Sequence, residues 1–263
     1  MNKKVKFNIK KNGFTLIEVL ISLVIFSIIS VAFIHFFSTT LDATDRINDR
    51  NDLLHEAQIA EQIMASKAKL AWRIFPPGTS IYMNDGKTTK NYLADSNKWI
   101  VGTDPIIAMI LPPITPGFTN KCTNANRRYC FRFYAYYAIR RSDYINAISK
   151  GSAEALPPDE LNKNTWVIME FRRTITNVTD PSTITPPAGE AIYRSTKGRL
   201  LVEYVQPENY IPNYKIFNIY PDSAIDISIR MLKRSNRRVY RVPAKTEPPL
   251  TTRVLPRNLN AGK

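Results

Sequence analysis

The sequence predicts an α+β protein: a long N-terminal α-helix, its first half transmembrane, packed through its second half against an antiparallel β-sheet domain. Three observations predict it. Phe14 to Phe37 is a run of 24 residues with one charge, Glu18. From Phe14 to Phe75 there is neither glycine nor proline. After Gly78 the sequence changes to short alternating segments between proline-rich loops.

The helix comes first. At about 1.5 Å per residue the apolar run spans roughly 36 Å, enough to cross a bilayer core. Residues 1–13 hold Lys3, Lys4, Lys6, Lys10 and Lys11 and no acid. Such a basic flank stays on the cytoplasmic side. After Ser38 the apolar stripe narrows. Leu41, Ile47, Leu54, Ala57, Ala60, Met64 and Leu70 recur mostly at steps of three, four or sums of these. Asp42, Asp45 and Asp49 fall mainly on another side. The simplest reading is one continuous helix, about 90 Å long, that ends before Pro76-Pro77-Gly78. Residues 14–37 are apolar all round and need lipid or other helices. Residues 38–75 have one apolar face and need a sheet.

Residues 76–263 read as the β-rich domain. Phe131, Phe133, Ala135, Tyr137 and Ile139 alternate with Arg132, Tyr134 and Tyr136. Ile225, Ile227, Ile229 and Met231 alternate with Asp226, Ser228 and Arg230. A period of two is what a sheet with one buried face requires. Ile106–Leu111, Trp166–Phe171, Leu200–Val205 and Val239–Val242 are further strand candidates. Pro112-Pro113, Pro157-Pro158, Pro186-Pro187 and Pro248-Pro249 mark loops, and Asn84-Asp85-Gly86 a turn.

Charge and reactive residues bound the chemistry. The chain carries a formal net charge of +15. Arg230 to Lys263 holds ten Lys or Arg against Glu247 alone, a local balance of +9. A field of this kind attracts polyanions such as DNA or an anionic glycan. Arg230, Lys233, Arg234, Arg237, Arg238, Tyr240 and Arg241 are the candidate contacts: cations for phosphates, with a ring that could stack on bases. The competing reading is a charged turn between two strands. Cys122 and Cys130 close a short loop, and for an exported domain the default is a disulfide. The histidines, His35 and His55, lie in the N-terminal segment, so neither a Cys-His zinc site nor a Ser-His-Asp system is expected in the β-rich part. No Gly-rich phosphate loop, His-Glu-x-x-His or Gly-x-Ser-x-Gly occurs. The expectation is a non-enzymatic protein with no catalytic residue, metal or cofactor.

A small-residue junction, Gly13-Phe14, precedes the apolar run. A secretory signal would place it after. Gly13 followed by Phe14-Thr15-Leu16-Ile17-Glu18 resembles the signal of type IV prepilins and secretion pseudopilins. The resemblance implies that a prepilin peptidase cuts after Gly13 and methylates the amine of Phe14. It also implies that Glu18 pairs with the Phe14 amine of a neighbouring subunit, which gives a carboxylate in hydrocarbon a reason to be there. Thr251-Thr252-Arg253-Val254-Leu255-Pro256-Arg257-Asn258-Leu259 looks like the final strand of PilW-type minor pilins and J-type pseudopilins. The large β-rich part points the same way, toward a subunit at or near a filament tip. Some tip subunits of the family lack the glutamate, so Glu18 implies a place just beneath the topmost one.

Three functions are compatible with the sequence. The first is a minor pilin of a type IV pilus that supports filament assembly and adhesion, motility or DNA uptake in natural transformation. The second is a J-type pseudopilin of a type II secretion system, serving protein secretion. The third is a membrane-anchored binding module that does not polymerise. The first two place the protein in the bacterial inner membrane, N-terminus cytoplasmic and β-rich domain outside the cytoplasm, and then in a pilus or pseudopilus with other pilins or pseudopilins. Mass spectrometry of the mature protein should find an N-terminal methylated Phe14; a mature chain that retains residues 1–13 would refute the processing.

Overall fold

A computed structural model describes residues 15–83, 88–115, 122–123, 125–148, 152, 154–176, 198–235 and 238–257. The leader with Gly13 and Phe14, the Asn84-Asp85-Gly86 turn, Pro186-Pro187, Arg237 and Asn258 lie outside them. The chain divides into two compact units, Met1–Asp49 and Arg50–Lys263. Helix α1, Leu16–Lys69, contributes to both.

In the first unit, α1 exposes almost every side chain. Leu16, Ile17, Phe26, Ile34 and Phe36 are each at least 65% accessible. Among the described residues this is the one helix long and apolar enough to cross a membrane.

In the second unit the same helix acquires a buried stripe: Leu53, Ala57, Ala60, Met64 and Ala68. The steps are four, three, four and four, the helical period. Of the stripe expected from sequence, Ala57, Ala60 and Met64 are in the core, while Leu41, Ile47 and Leu70 are exposed. Three of the five buried positions are alanine, with Leu53 and Met64 between and before them.

The helix ends at Lys69, short of the prolines. Its last turn tightens: the Leu70 and Ala71 amides donate to the Lys67 and Ala68 carbonyls at 3.1 Å each. The Arg257 amide donates to the Lys69 carbonyl at 3.0 Å. The chain then becomes strand β1, Arg73–Ile74, on the edge of β4, Ile106–Leu111. The Trp72 amide donates to the Ile110 carbonyl at 2.8 Å and the Phe75 amide to the Ala108 carbonyl at 3.0 Å. A free sheet edge takes the backbone groups that another helical turn would have used.

The remaining strands are β2 (Ser80–Tyr82), β3 (Lys98–Ile100), β5 (Phe131–Arg140), β6 (Trp166–Ile175), β7 (Arg199–Val205), β8 (Phe217–Ile219), β9 (Ile225–Ile229), β10 (Met231–Ser235), β11 (Arg238–Val242) and β12 (Leu250–Val254). A short helix α2, Arg141–Ala147, follows β5. Seven strands form an antiparallel sheet in the order β1-β4-β5-β6-β7-β10-β11. Three more pair as β12-β9-β8, and β2 pairs with β3. The fold is thus α+β and pilin-like: an N-terminal apolar helix joined to antiparallel sheet.

The central strand β5 is buried on both faces, not one. On one face the Lys67 ammonium of α1 lies 5.8 Å from the Tyr134 ring centroid. On the other, Phe133 packs against Phe75 and Phe171, and Tyr137 against Trp99 at 5.0 Å. The Tyr134, Tyr136 and Tyr137 stripe is core, as its spacing suggests. The Tyr136 hydroxyl donates to Glu170 Oε2 at 3.0 Å and the Tyr137 hydroxyl to the Thr88 carbonyl at 3.0 Å. Gly198 sits so close to Tyr137 that a Cβ would lie 2.1 Å from its hydroxyl oxygen.

The alternating run from Ile225 to Met231 is two strands. It breaks at Arg230 and changes sheets, β9 belonging to the small sheet and β10 to the large one. The Arg230 carbonyl accepts the Gln206 amide at 2.7 Å, which ties the crossing point to the end of β7. Met64 is fully buried where helix meets sheet. Met64→Ala should lower the unfolding free energy by about 2 to 4 kcal/mol, read by denaturant unfolding of the detergent-solubilised chain; Leu70→Ala, on the exposed side, should cost under about 0.5 kcal/mol.

Candidate assembly segment and basic hairpin

Glu18 stands at the third position of α1, and its carboxylate turns back to the helix start. The Thr15 amide and the Thr15 hydroxyl both donate to Glu18 Oε2 at 2.9 Å. The Glu18 amide donates to Thr15 Oγ1 at 3.4 Å. This reciprocal arrangement is a capping box. It satisfies amides that the helix cannot, and it places a negative charge at the positive end of the helix dipole. The Thr15-x-x-Glu18 pattern was present in the sequence and is a sufficient signal for this role. A carboxylate offers about four lone-pair sites. Among the described residues Oε1 has no partner, so capping leaves half of the carboxylate open.

The basic residues of the C-terminal part do not form one surface. Arg230 is buried, 3% accessible. Its Nη1 donates to the Ala244 carbonyl at 3.3 Å, and its Nη2 donates to the Glu247 carbonyl. It closes the loop after β11 and is withdrawn from any exposed patch. The hairpin β10–β11 pairs Lys233 with Tyr240, Arg234 with Val239 and Ser235 with Arg238. Side chains of paired residues share a face, and successive ones alternate. Lys233, Arg238 and Tyr240 therefore occupy one face, and Arg234 and Arg241 the other. Tyr240 packs half-buried against the core. Lys233 lies 5.6 Å from the Tyr204 ring centroid, and Arg234 5.8 Å from that of Tyr210. The strand period divides by two what the linear sequence shows as one cluster.

Some residues that the sequence did not single out carry the polar architecture. Arg141 is fully buried. It donates through Nε to Glu203 Oε2 at 3.1 Å and through Nη2 to the Pro157 carbonyl at 2.9 Å. Its guanidinium also lies 5.4 Å from the Tyr204 ring centroid. On the small sheet, Arg253 grips Asp226 with two bonds, 2.7 Å from Nε and 2.8 Å from Nη2. The Tyr220 hydroxyl donates to Asp226 Oδ2 at 2.8 Å. The hydrogen bond from Arg253 holds the Asp226 carboxyl below its ordinary value. Burial and the nearby Glu203 push Glu56 up. No local pattern marks these pairs, because Arg141 and Glu203 are 62 residues apart.

Cys122 and Cys130 are joined in a disulfide with a Cα–Cα distance of 4.8 Å. Among the described residues no group of three or more His, Cys, Asp or Glu side chains could hold a metal ion.

An apolar, capped helix that continues into an antiparallel-sheet unit defines a class, the membrane-associated α+β proteins of pilin-like fold. The comparison with known families narrows it. Residues 8–34 match the family model described as the prokaryotic N-terminal methylation motif. The match supports the type IV prepilin and pseudopilin family, and with it processing by a prepilin peptidase and assembly with other pilins. No curated protein and no solved structure matches the chain.

Arg230 and Arg241 should separate structural from surface cations. Arg230→Ala should destabilise by about 3 kcal/mol, since a buried side chain and its bonds to the Ala244, Lys245 and Glu247 carbonyls are lost together. Arg241→Ala should stay within about 0.5 kcal/mol. Thermal or denaturant unfolding reads both.

Proposed function

We propose that the protein is a minor pilin of a type IV pilus, a structural subunit placed near the filament tip. The observation that carries this reading is the start of α1. An exposed apolar surface holds one carboxylate, and among the described residues its Oε1 has no partner. Before assembly, lipid covers the surface, with the N-terminus cytoplasmic and the sheet domain outside the cytoplasm. In the filament, neighbouring helices replace the lipid. Lipid tails and leucine side chains are about equally apolar, so the apolar contact alone fixes no axial position. A charge pair does. Removal of the leader after Gly13 creates a cation, the Phe14 amine, and Glu18 Oε1 of the next subunit is the acceptor for it. The pairing sets the stagger between subunits.

The sheet domain supports a minor, tip-proximal place. Two sheets and a further two-stranded ladder belong to this one chain. A filament built of such subunits would have to accommodate that bulk at every helical step, whereas a tip has to do so once.

Glu18→Ala tests the reading. Membrane insertion and leader removal should proceed as in wild type. Incorporation into sheared filaments, measured by immunoblot beside the major pilin, should fall by about tenfold or more, because the lost pair is a desolvated one. Equal incorporation of the mutant would sink the pairing. Co-purification with secretion pseudopilins in place of pilins would sink the pilus assignment. Full function with the cut blocked would favour an anchored module that does not polymerise.

A further inference from the structure

Strand β11 ends the large sheet, and among the described residues no strand lies beyond it. Opposite residues of an antiparallel ladder alternate. One pair exchanges both hydrogen bonds, and in the next the N–H and C=O of each residue turn away from the other. Asn162 shows which pairs are which. The Arg234 amide donates to Asn162 Oδ1 at 2.7 Å, and Asn162 Nδ2 donates to the Arg234 carbonyl at 2.8 Å. Both backbone groups of Arg234 therefore point away from β11. Val239 stands opposite Arg234, so its own N–H and C=O point away from β10, to the open side. Arg241, two residues on, presents the same pair of groups to that side. The register runs without a bulge from Ser235–Arg238 to Met231–Val242. On the inner side Asn162 fills the place of a strand partner. On the outer side Val239 and Arg241 have no such partner among the described residues, and Val239 is 48% accessible.

A regular open edge is a template for one more strand. Charge selects which. Residues 231 to 242 hold Lys233, Arg234, Arg237, Arg238 and Arg241 and no acid. Lys233 lies within electrostatic reach of Glu56 on α1, which offsets part of its charge. Arg234 lies against the Tyr210 ring. Arg238 and Arg241 stand on the edge strand itself, one on each face, and Arg241 has no acidic partner among the described residues. An added strand would meet cations on whichever face it turned its charged residues. Acids opposite these cations favour the pairing, and like charges oppose it. A second copy of this chain would bring its own Arg238 and Arg241 into the same ladder and is disfavoured. A nucleic acid would satisfy the cations. It has no row of amide donors and acceptors at the spacing of two strand residues, about 7 Å, that Val239 and Arg241 present.

We infer that the open edge of β11 receives an extended acidic segment of a partner protein as a further strand, its backbone on Val239 and Arg241 and its carboxylates beside Arg238 or Arg241. The edge is separate from the start of α1. The inference does not depend on filament membership, so either conclusion can fail alone.

The test titrates the full chain, in micelles of a non-ionic detergent, into three labelled probes. These are an end-blocked peptide of alternating Glu and Thr, its counterpart of alternating Lys and Thr, and a single-stranded oligonucleotide of similar length. Fluorescence anisotropy reads binding, and hydrogen exchange reads the β11 amides. The Glu peptide should bind at least about tenfold more tightly than the Lys peptide and slow exchange at Val239 and Arg241. Val239→Pro removes an outward donor and keeps every charge and the ladder with β10. It should abolish binding of the Glu peptide while near-UV circular dichroism stays unchanged. Should that variant fail to fold, Arg241→Glu should weaken the Glu peptide about tenfold or more. Equal binding of the Lys peptide would refute the role of charge. Binding of the oligonucleotide alone would assign the cations to phosphate and refute the strand. Self-association of wild type that Val239→Pro abolishes would give the edge to a second copy. Glu peptide bound undiminished by a folded variant, or not bound by wild type, would overturn the site.

Discussion

The structure rests on one constraint: β5 is buried on both faces and needs a cover on each. On one side lies the end of α1, whose Lys67 reaches the Tyr134 ring and whose buried stripe belongs to the same core. On the other lie Phe75, Trp99 and their neighbours. The helix turns one stripe, Leu53, Ala57, Ala60, Met64 and Ala68, to this core, and a close-packed interior leaves little room to enlarge the alanines. The early end of α1 follows from the same requirement. The chain has to leave the helix at Lys69 to reach the edge of β4 and place Phe75 in the opposite layer.

The second organising feature is the change of sheet at Arg230. The backbone crosses from β9 to β10 there, and the side chain binds the carbonyls of the loop that leads into β12. Backbone and side chain together join the two sheets. A charged residue is suited to this place because a guanidinium has five donors, and a sheet junction presents several carbonyls with no strand partner.

At the N-terminus, Glu18 caps its own helix through Oε2, and among the described residues Oε1 has no partner. A carboxylate that only capped would be equally served by aspartate or serine at the cap position. A glutamate reaching back from the third position caps through one oxygen and has a second to offer, which suits the pairing proposed with a neighbour's Phe14 amine.

The sequence by itself determined what local order can express. The apolar run, the helix except for its last six expected residues, and the strands β4, β5, β6, β7 and β11 were legible, because composition and period report on the residues that carry them. Cys122 and Cys130 were legible as a pair because eight positions separate them. Tertiary structure decided what depends on distant partners. It put Leu53, Ala57, Ala60, Met64 and Ala68 in the core and left Leu41, Ile47 and Leu70 exposed, because which side of a helix is covered depends on where its partner lies. It ended the helix at Lys69, because the competing hydrogen bonds come from β4. It split the run at Arg230 and dispersed the basic cluster over two faces, because a strand alternates its side chains whatever their charge. The period of two was visible in the hydrophobic residues and applied equally to the cations beside them.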